Sequence, residues 1–412
     1  MELADIFRRY GPLYLEKYGT AIPPGHIKAM VDISSCRTSV LGGHLDWCEQ
    51  CGYTHFFFNS CYNRSCPKCQ GNHAKEWLEK RENQRLPVKY FHLVFTVPKQ
   101  LHPIIRSNPR ELLDVLVKAA AYSLNKLMQD PRYAGGKPGM ICVIHTWTRI
   151  LGYHPHVHML VPGVVICSTN NGNNGNDGND GNVIEAEAED KNSKSKGSKK
   201  RKRLEWKLIR KRKFLVPFQP LATIFRARFV KMARKKLPTV KFPGQIWEKQ
   251  WVILCKPTLK GAGNVIQYLA RYVYRVAITN NRILTDHNGE IKFKYKNCNA
   301  FKWKTLSLQP MEFIRRFLQH VLPKGFHKVR YYGFLAPACR HIFQALKLSL
   351  LSIKKYPNNQ LLILILTDSQ NSHHPHHTRT RICPKCKKGN LVVIGVIGGR
   401  KNRTLLSRPP PP

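Results

Sequence analysis

Two C-x-x-C knuckles, Cys48/Cys51 and Cys66/Cys69, lie 14 residues apart in "CEQCGYTHFFFNSCYNRSCPKCQ". Each knuckle presents two thiolates at one corner, and two knuckles close a tetrahedral site around Zn²⁺. A chain built this way must bring both corners to one point. The expectation is therefore a small zinc-ribbon-like unit, with the strand-like "YTHFFFNS" as part of its hairpin. Cys36, His44, His55 and Cys61 form a candidate second zinc site, with His73 nearby, and ordinary structural roles for each are the alternative. A third pair, Cys383 and Cys386 in "RICPKCKKGN", has no second pair after it. The "HHPHH" run His373–His377 offers ligands, and adventitious metal binding by a tail is the other reading. Without a secretion-signal pattern, this cysteine usage favours metal over disulfides and a reducing cytoplasm.

The charge balance narrows the partner. The chain has 69 Lys+Arg against 24 Asp+Glu, a formal +45. The run from Lys191 to Lys213 accounts for +12 of it, so +33 lies elsewhere. Charge spread over folded segments calls for a polyanion, and nucleic acid is the default because phosphate neutralisation releases counterions. Non-specific RNA binding or an anionic membrane surface is the bland alternative. A membrane span is not expected, since the longest apolar run near the C-terminus is "LLILIL", Leu361–Leu366.

Three regions separate along the chain: 1–86 with six of the 13 cysteines, 87–330, and 331–412. "HAKEWLEKRENQRL" reads as an exposed helix leading out of the first. In the second, "YFHLVFTVP", "MICVIHTW", "HPHVHMLVPG" and "IWEKQWVILCKP" read as strands. "PRELLDVLVKAAAYSLNKLMQD", "FLVPFQPLATIFRARFVKMARKKLP" after its prolines, and "NVIQYLARYVYRVAI" read as helices. Between 168 and 203 an Asn/Gly repeat gives way to a Lys-rich run, a composition expected to be a disordered insertion. The third region, a basic tail, ends in "RPPPP".

On a strand, residues two apart share a face, so His156 and His158 point the same way with Val157 opposite. Two imidazoles on one face make a two-point metal clamp, although many such pairs are surface or core histidines. Tyr268 and Tyr272 are four apart and share one helical face. They border an apolar stripe of Val265, Leu269, Val273 and Val276, with the cationic Arg271 and Arg275 roughly opposite. That border is where a phenol could be held by packing and still meet a phosphate beside arginines. A tyrosine pair that only packs on the core is the competing reading, and Tyr274 faces elsewhere.

Taken together, the His-hydrophobic-His strand and the Tyr-x-x-x-Tyr helix resemble the HUH superfamily of single-strand DNA nucleases. "CRTSVLGGH", "NSCYNRSCPKCQ", "YFHLVFTVP", "HTW", "HPHVHMLVPG", "YLARYVYRVAITNNRI" and "FIRRFLQHVLPKGFHKVRYYGFLA" resemble one group within it. That group is the two-tyrosine rolling-circle transposases of bacterial insertion sequences, with an N-terminal zinc-binding domain. The resemblance spans roughly 1–165 and 204–340, and the Asn/Gly insertion and polyproline end depart from it. It implies an α+β fold with a central antiparallel sheet carrying the histidines, flanked by helices and preceded by the zinc-ribbon-like domain. It implies Mg²⁺ or Mn²⁺ on His156 and His158, with a third ligand. A turn centred near Leu151 and Gly152 would pair His145 across from His158, and His154 and Gln267 are the alternatives. It implies Tyr268 and Tyr272 as nucleophiles forming 5′-phosphotyrosine, and the 1–86 unit as the reader of DNA ends. The partners are single-stranded DNA at transposon ends, target DNA and, since no Walker-type phosphate loop occurs, host replication or a helicase in the cytoplasmic nucleoid. A plasmid or phage replication initiator would share the chemistry, and a non-enzymatic zinc-ribbon DNA-binding protein would leave the His and Tyr motifs idle.

Overall fold

The computed structural model describes residues 1–71, 74, 78, 85–168, 183–187, 201–209, 215–248, 250–258, 273–287, 289–297, 302–353 and 381–399. It is a mixed helix-and-sheet protein whose sheets are antiparallel. The chain opens with α1 (Leu3–Tyr18) and α2 (Pro24–Ser34), then the hairpin β1 (Gly43–Cys48) and β2 (Thr54–Phe58). β3 (Tyr90–Thr96), α3 (His102–Ser107) and α4 (Pro109–Gln129) follow. Next come β4 (Lys137–Pro138), β5 (Met140–Trp147), β6 (Tyr153–Pro162), β7 (Val164–Ser168), β8 (Val183–Glu187) and β9 (Arg201–Leu208). α5 (Phe218–Lys236), β10 (Ile253–Pro257), β11 (Ile283–His287), β12 (Glu290–Lys296), β13 (Trp303–Leu308) and α6 (Pro310–Leu318) lead to β14 (Val329–Tyr332). α7 (Arg340–Ile353), β15 (Arg381–Ile382) and β16 (Asn390–Ile397) complete the described chain.

The central sheet has the order β10-β3-β6-β5-β14. Period-2 alternation sorts its residues onto two faces. Phe91, Leu93, Phe95, Cys142, Ile144, Val157, Met159 and Val161 join one cluster with the apolar stripes of α4 and α5. Pro109 opens α4 where its missing N–H costs nothing, and Leu112, Leu113, Leu116, Ala120 and Leu124 then recur at helical spacing and are buried. The opposite face carries His92, His145, His156 and His158 at one end. At the other end Tyr90, Val143 and Leu160 pack with Trp206, Phe334 and Leu346.

The β5–β6 hairpin forms where the alternating pattern places it, but in a different register. His145 lies opposite His156 and Val143 opposite His158, with an irregularity between His145 and Trp147. The turn is centred on Ile150, between the paired Trp147 and Tyr153, and one extra residue on β6 between Tyr153 and His156 bulges the ladder just before the histidines. Leu151 holds φ +60 in this turn, a region costly for a bulky side chain. Its side chain is wholly buried, and its carbonyl accepts hydrogen bonds from Gln319 Nε2 (2.9 Å) and His320 Nε2 (3.2 Å).

The N-terminal helices do not stand apart. Leu3, Ile6, Phe7, Met30 and Ile33 share a cluster with Ile291, Phe293, Phe313 and Phe317. Phe7 and Phe317 meet edge to face at 5.5 Å. The expected ribbon hairpin β1–β2 is present, but its sheet runs β15-β16-β1-β2 and takes two strands from the far C-terminal region.

Two further expectations need correction. The 168–203 stretch contributes strands at 183–187 and from 201, since β8 pairs with β9 and β9 with β7. The rest of the Asn/Gly insertion lies outside the described residues. The C-terminal end of the helix expected over 264–278 is not helical: Val276, Ala277 and Ile278 are buried in loop conformation, and residues 264–272 lie outside the described residues. Most of "HAKEWLEKRENQRL", the "LLILIL" and "HHPHH" runs, the polyproline end, His73, Gln267, Tyr268, Arg271 and Tyr272 also fall outside the described residues. Among the described residues no helix is long and apolar enough to cross a membrane.

Candidate functional site

Three groups of metal-competent side chains form among the described residues. The first joins His145, His156 and His158, with all three donor nitrogens within 4.8 Å of one another. His156 Nδ1 donates to the His154 carbonyl at 2.7 Å, which leaves its Nε2 lone pair facing His158 Nε2 at 3.1 Å. An octahedral cation with ligands at about 2.1 Å has a cis edge of about 3 Å, so this spacing suits a hard divalent ion. Burial pushes His156 down to about 4 and also lowers His158, so both rings are neutral and their lone pairs are available at neutral pH. His154, the alternative third ligand, supplies its backbone instead of joining the group.

Cations surround this end of the sheet. Arg275 disfavours charge on both His156 and His158, and Lys328 on His158. Lys328 Nζ donates to the Arg275 carbonyl at 2.8 Å. Burial, helped by Arg64 and Arg275, pushes Lys328 down to about 7. Arg64, Trp147, Arg275, His320 and Lys328 line one cavity beside the histidines. Trp147 stacks on His145 with ring centroids 4.5 Å apart.

The other two groups are four-cysteine clusters, and their membership corrects the expected pairing. Cys66 and Cys69 meet Cys36 and Cys61, whereas Cys48 and Cys51 meet Cys383 and Cys386. The Cys48–Cys51–Cys66–Cys69 site does not form, because β1 carries its knuckle to the opposite end of the hairpin from Cys61. The candidate second set also divides. Cys36 and Cys61 are ligand-placed, but His44 accepts from Arg381 Nη1 at 2.7 Å and His55 stacks on Tyr53. In the first cluster Cys36 and Cys61 lie 3.5 and 3.6 Å from Cys69. Four thiolates about 2.3 Å from Zn²⁺ would stand about 3.8 Å apart, so the donor set fits zinc.

Two matches in the sequences of known proteins cover these same regions. Residues 139–179 and 194–342 match a family described as "Putative transposase", and residues 6–97 match a "Transposase zinc-binding domain". The chain is 32% identical over 422 residues to "Putative transposase y4qJ" of Sinorhizobium fredii, covering 97% of this chain and 96% of that one. The chain belongs to this transposase family. It is also 28% identical over 319 residues to the "Transposase for insertion sequence element IS801" of Pseudomonas savastanoi pv. phaseolicola, covering 75% of this chain and 70% of that one. No solved structure matches at a significant level.

The zinc-binding match of this transposase contains all of Cys36, Cys61, Cys66 and Cys69, so the N-terminal unit is a structural zinc domain. The transposase match contains the histidine group, Arg275 and Lys328. His92 went unnoticed in the sequence. Its Nε2 lies 2.9 Å from His158 Nδ1, with the rings stacked at 5.2 Å. The signal was present in "YFHLVFTVP", where a buried-strand histidine sits two residues from apolar neighbours on its own face.

Proposed function

We propose that this transposase nicks and joins single-stranded DNA at transposon ends through 5′-phosphotyrosine intermediates on Tyr268 and Tyr272. The observation that carries the reading is the three-imidazole group on one face of an antiparallel sheet, flanked by Arg275 and Lys328, in a chain of this family. His156, His158 and His145 would hold Mg²⁺ or Mn²⁺, and imidazole suits Mn²⁺ better. Such a cation supplies Lewis-acid polarisation of the scissile phosphate. With His158 Nε2 turned to the cation, its Nδ1–H donates to His92, which fixes the ring and its tautomer. Arg275 and Lys328 offset phosphate charge.

Arg275 lies three residues beyond Tyr272, a length of chain that spans at most about 11 Å. A nucleophile at Tyr272 is thereby tethered to the histidine end of the sheet. The phenol oxygen forms a bond to phosphorus, the bond from phosphorus to the 3′ oxygen breaks, and that oxygen leaves as a 3′-OH with a proton. One phosphoester replaces another, so rejoining needs no ATP. The host's replication or helicase machinery would open the duplex, which places the protein at the nucleoid. Arg271 and Arg275 would contact the DNA backbone, and the zinc domain would read the end sequence.

The test is a single-stranded oligonucleotide carrying the element's end, incubated with protein and Mn²⁺ or Mg²⁺. A denaturation-resistant protein–DNA adduct is expected, absent from the Tyr268→Phe/Tyr272→Phe double variant. An adduct that survives in the double variant overturns the assignment of the nucleophiles, and cleavage without any adduct overturns the mechanism.

A further inference from the structure

We infer that Cys48, Cys51, Cys383 and Cys386 bind a second zinc ion, which staples the C-terminal segment 381–399 onto the N-terminal unit. The two knuckles come from segments more than 300 residues apart, yet Cys48 lies 3.8 Å from Cys386 and Cys51 lies 3.7 Å from Cys383. These are the edges of a tetrahedron with sulfur at about 2.3 Å from its centre. Cys48 and Cys383 are fully buried. The matched zinc-binding region ends at 97 and the transposase match at 342, so neither contains the Cys383–Cys386 knuckle.

Independent features hold the two segments together in this arrangement. β16 pairs with β1 over six positions, from Gly43↔Ile397 to Cys48↔Leu391. Arg381 reaches both His44 and the buried Asp46. In the C-terminal knuckle the Cys383 N–H donates to the Gly389 carbonyl at 2.8 Å, and the Gly389 N–H donates to Cys386 Sγ at 3.3 Å. A side chain at 389 would stand 2.7 Å from Cys48 Sγ, so only glycine lets the knuckle close. Four thiolates on Zn²⁺ carry a net charge of −2, and the knuckle segment itself supplies three cations, Lys385, Lys387 and Lys388. The Cys383–Cys386 knuckle is therefore not a free tail: its partner is a matching knuckle already on the sheet.

The experiment counts zinc per chain in the purified full-length protein by elemental mass spectrometry. Hydrogen exchange across β1 and β16 is measured on the same samples. Two zinc ions per chain are expected. The Cys383→Ser/Cys386→Ser variant should hold one, and amides 391–397 should lose protection by at least tenfold while α4 keeps its own. Gly389→Val leaves all eight thiols intact and should also lose one zinc, which separates closure of the site from loss of ligands. One zinc per chain in the unaltered protein overturns the inference, as does a Cys383→Ser/Cys386→Ser variant that still holds two. A Cys-to-Ser variant that fails to fold leaves the count on the unaltered chain and on Gly389→Val to decide.

Discussion

Replacing Arg64 by alanine tests whether the zinc domain is mechanically joined to the sheet that carries the histidines. The Arg64 guanidinium donates to three backbone carbonyls, those of Phe326 (2.5 Å), Leu322 (2.6 Å) and Pro323 (2.7 Å). It stands between Cys61 and Cys66 on one side and, on the other, the loop that delivers Lys328 and β14. Hydrogen bonds from a charged donor contribute about 1.5–3 kcal/mol each, but partial rehydration of the freed carbonyls returns some of that. A net loss of roughly 2–4 kcal/mol is expected for Arg64→Ala. At about 2–4 °C per kcal/mol in a unit of this size, the melting temperature should fall by roughly 5–15 °C. Arg64→Lys keeps the charge but has one compact head for three acceptors, so it should recover less than half of the loss. Lys328 is held low by burial first and by Arg64 second, so removing Arg64 should let it titrate higher. Differential scanning calorimetry on zinc-loaded protein is the assay. A melting temperature within about 1 °C of the unaltered chain would refute the claim that these three bonds join the two regions.

The remaining predictions follow from the site. His156→Ala and His158→Ala should each reduce metal-dependent nicking at least a hundredfold, with DNA affinity in a filter-binding assay nearly unchanged, because the basic surface supplies the affinity. Tyr268→Phe and Tyr272→Phe should each abolish transposition, while at least one still forms a covalent adduct. Tyr274→Phe should behave nearly as the unaltered protein, since Tyr274 packs on the cluster around Phe334 and Leu346. His320 is buried, bonded to Thr146 Oγ1 and the Leu151 carbonyl, and burial pushes it down to about 3. The unfolded chain therefore binds one more proton than the folded one between about pH 3 and 6.5, so stability is full above 6.5 and declines as pH falls through that window. Urea titrations should show His320→Gln with a shallower acid limb, by up to about 1.4 kcal/mol per pH unit; an unchanged slope would mean that another group controls it.

Strands and helices of the central sheet could be read directly, because their apolar residues repeat at the period each element requires. β5 was bounded to the residue. The histidine group was legible for the same reason, since alternation places His156 and His158 on one face wherever the turn falls. Register was not, because the turn falls at Ile150 and the ladder bulges between Tyr153 and His156, and neither leaves a local signature. The zinc partners were illegible for a deeper reason. A C-x-x-C spacing states that two thiols share a corner, and nothing in it states which corners share an ion. That is decided by β1, which ends at Cys48, and by the return of β16 from the far end of the chain. Arg64, Lys328 and His92 were hidden likewise, since each acquires its role from a neighbour distant in sequence.

The pairing of β1 with β16 also sets a schedule for synthesis. Cys48 meets Leu391, which is translated 391 − 48 = 343 residues later. At about 5–20 residues per second the ribosome needs roughly 17–70 s to deliver the partner. Throughout that interval β1 has β2 on one side and an open edge on the other, with Trp47, Phe56 and Phe58 exposed around it. Open, apolar strand edges recruit other strands. A nascent or prematurely terminated copy is therefore the aggregation-prone form of this molecule, and only a chain translated past residue 397 can cover the edge itself.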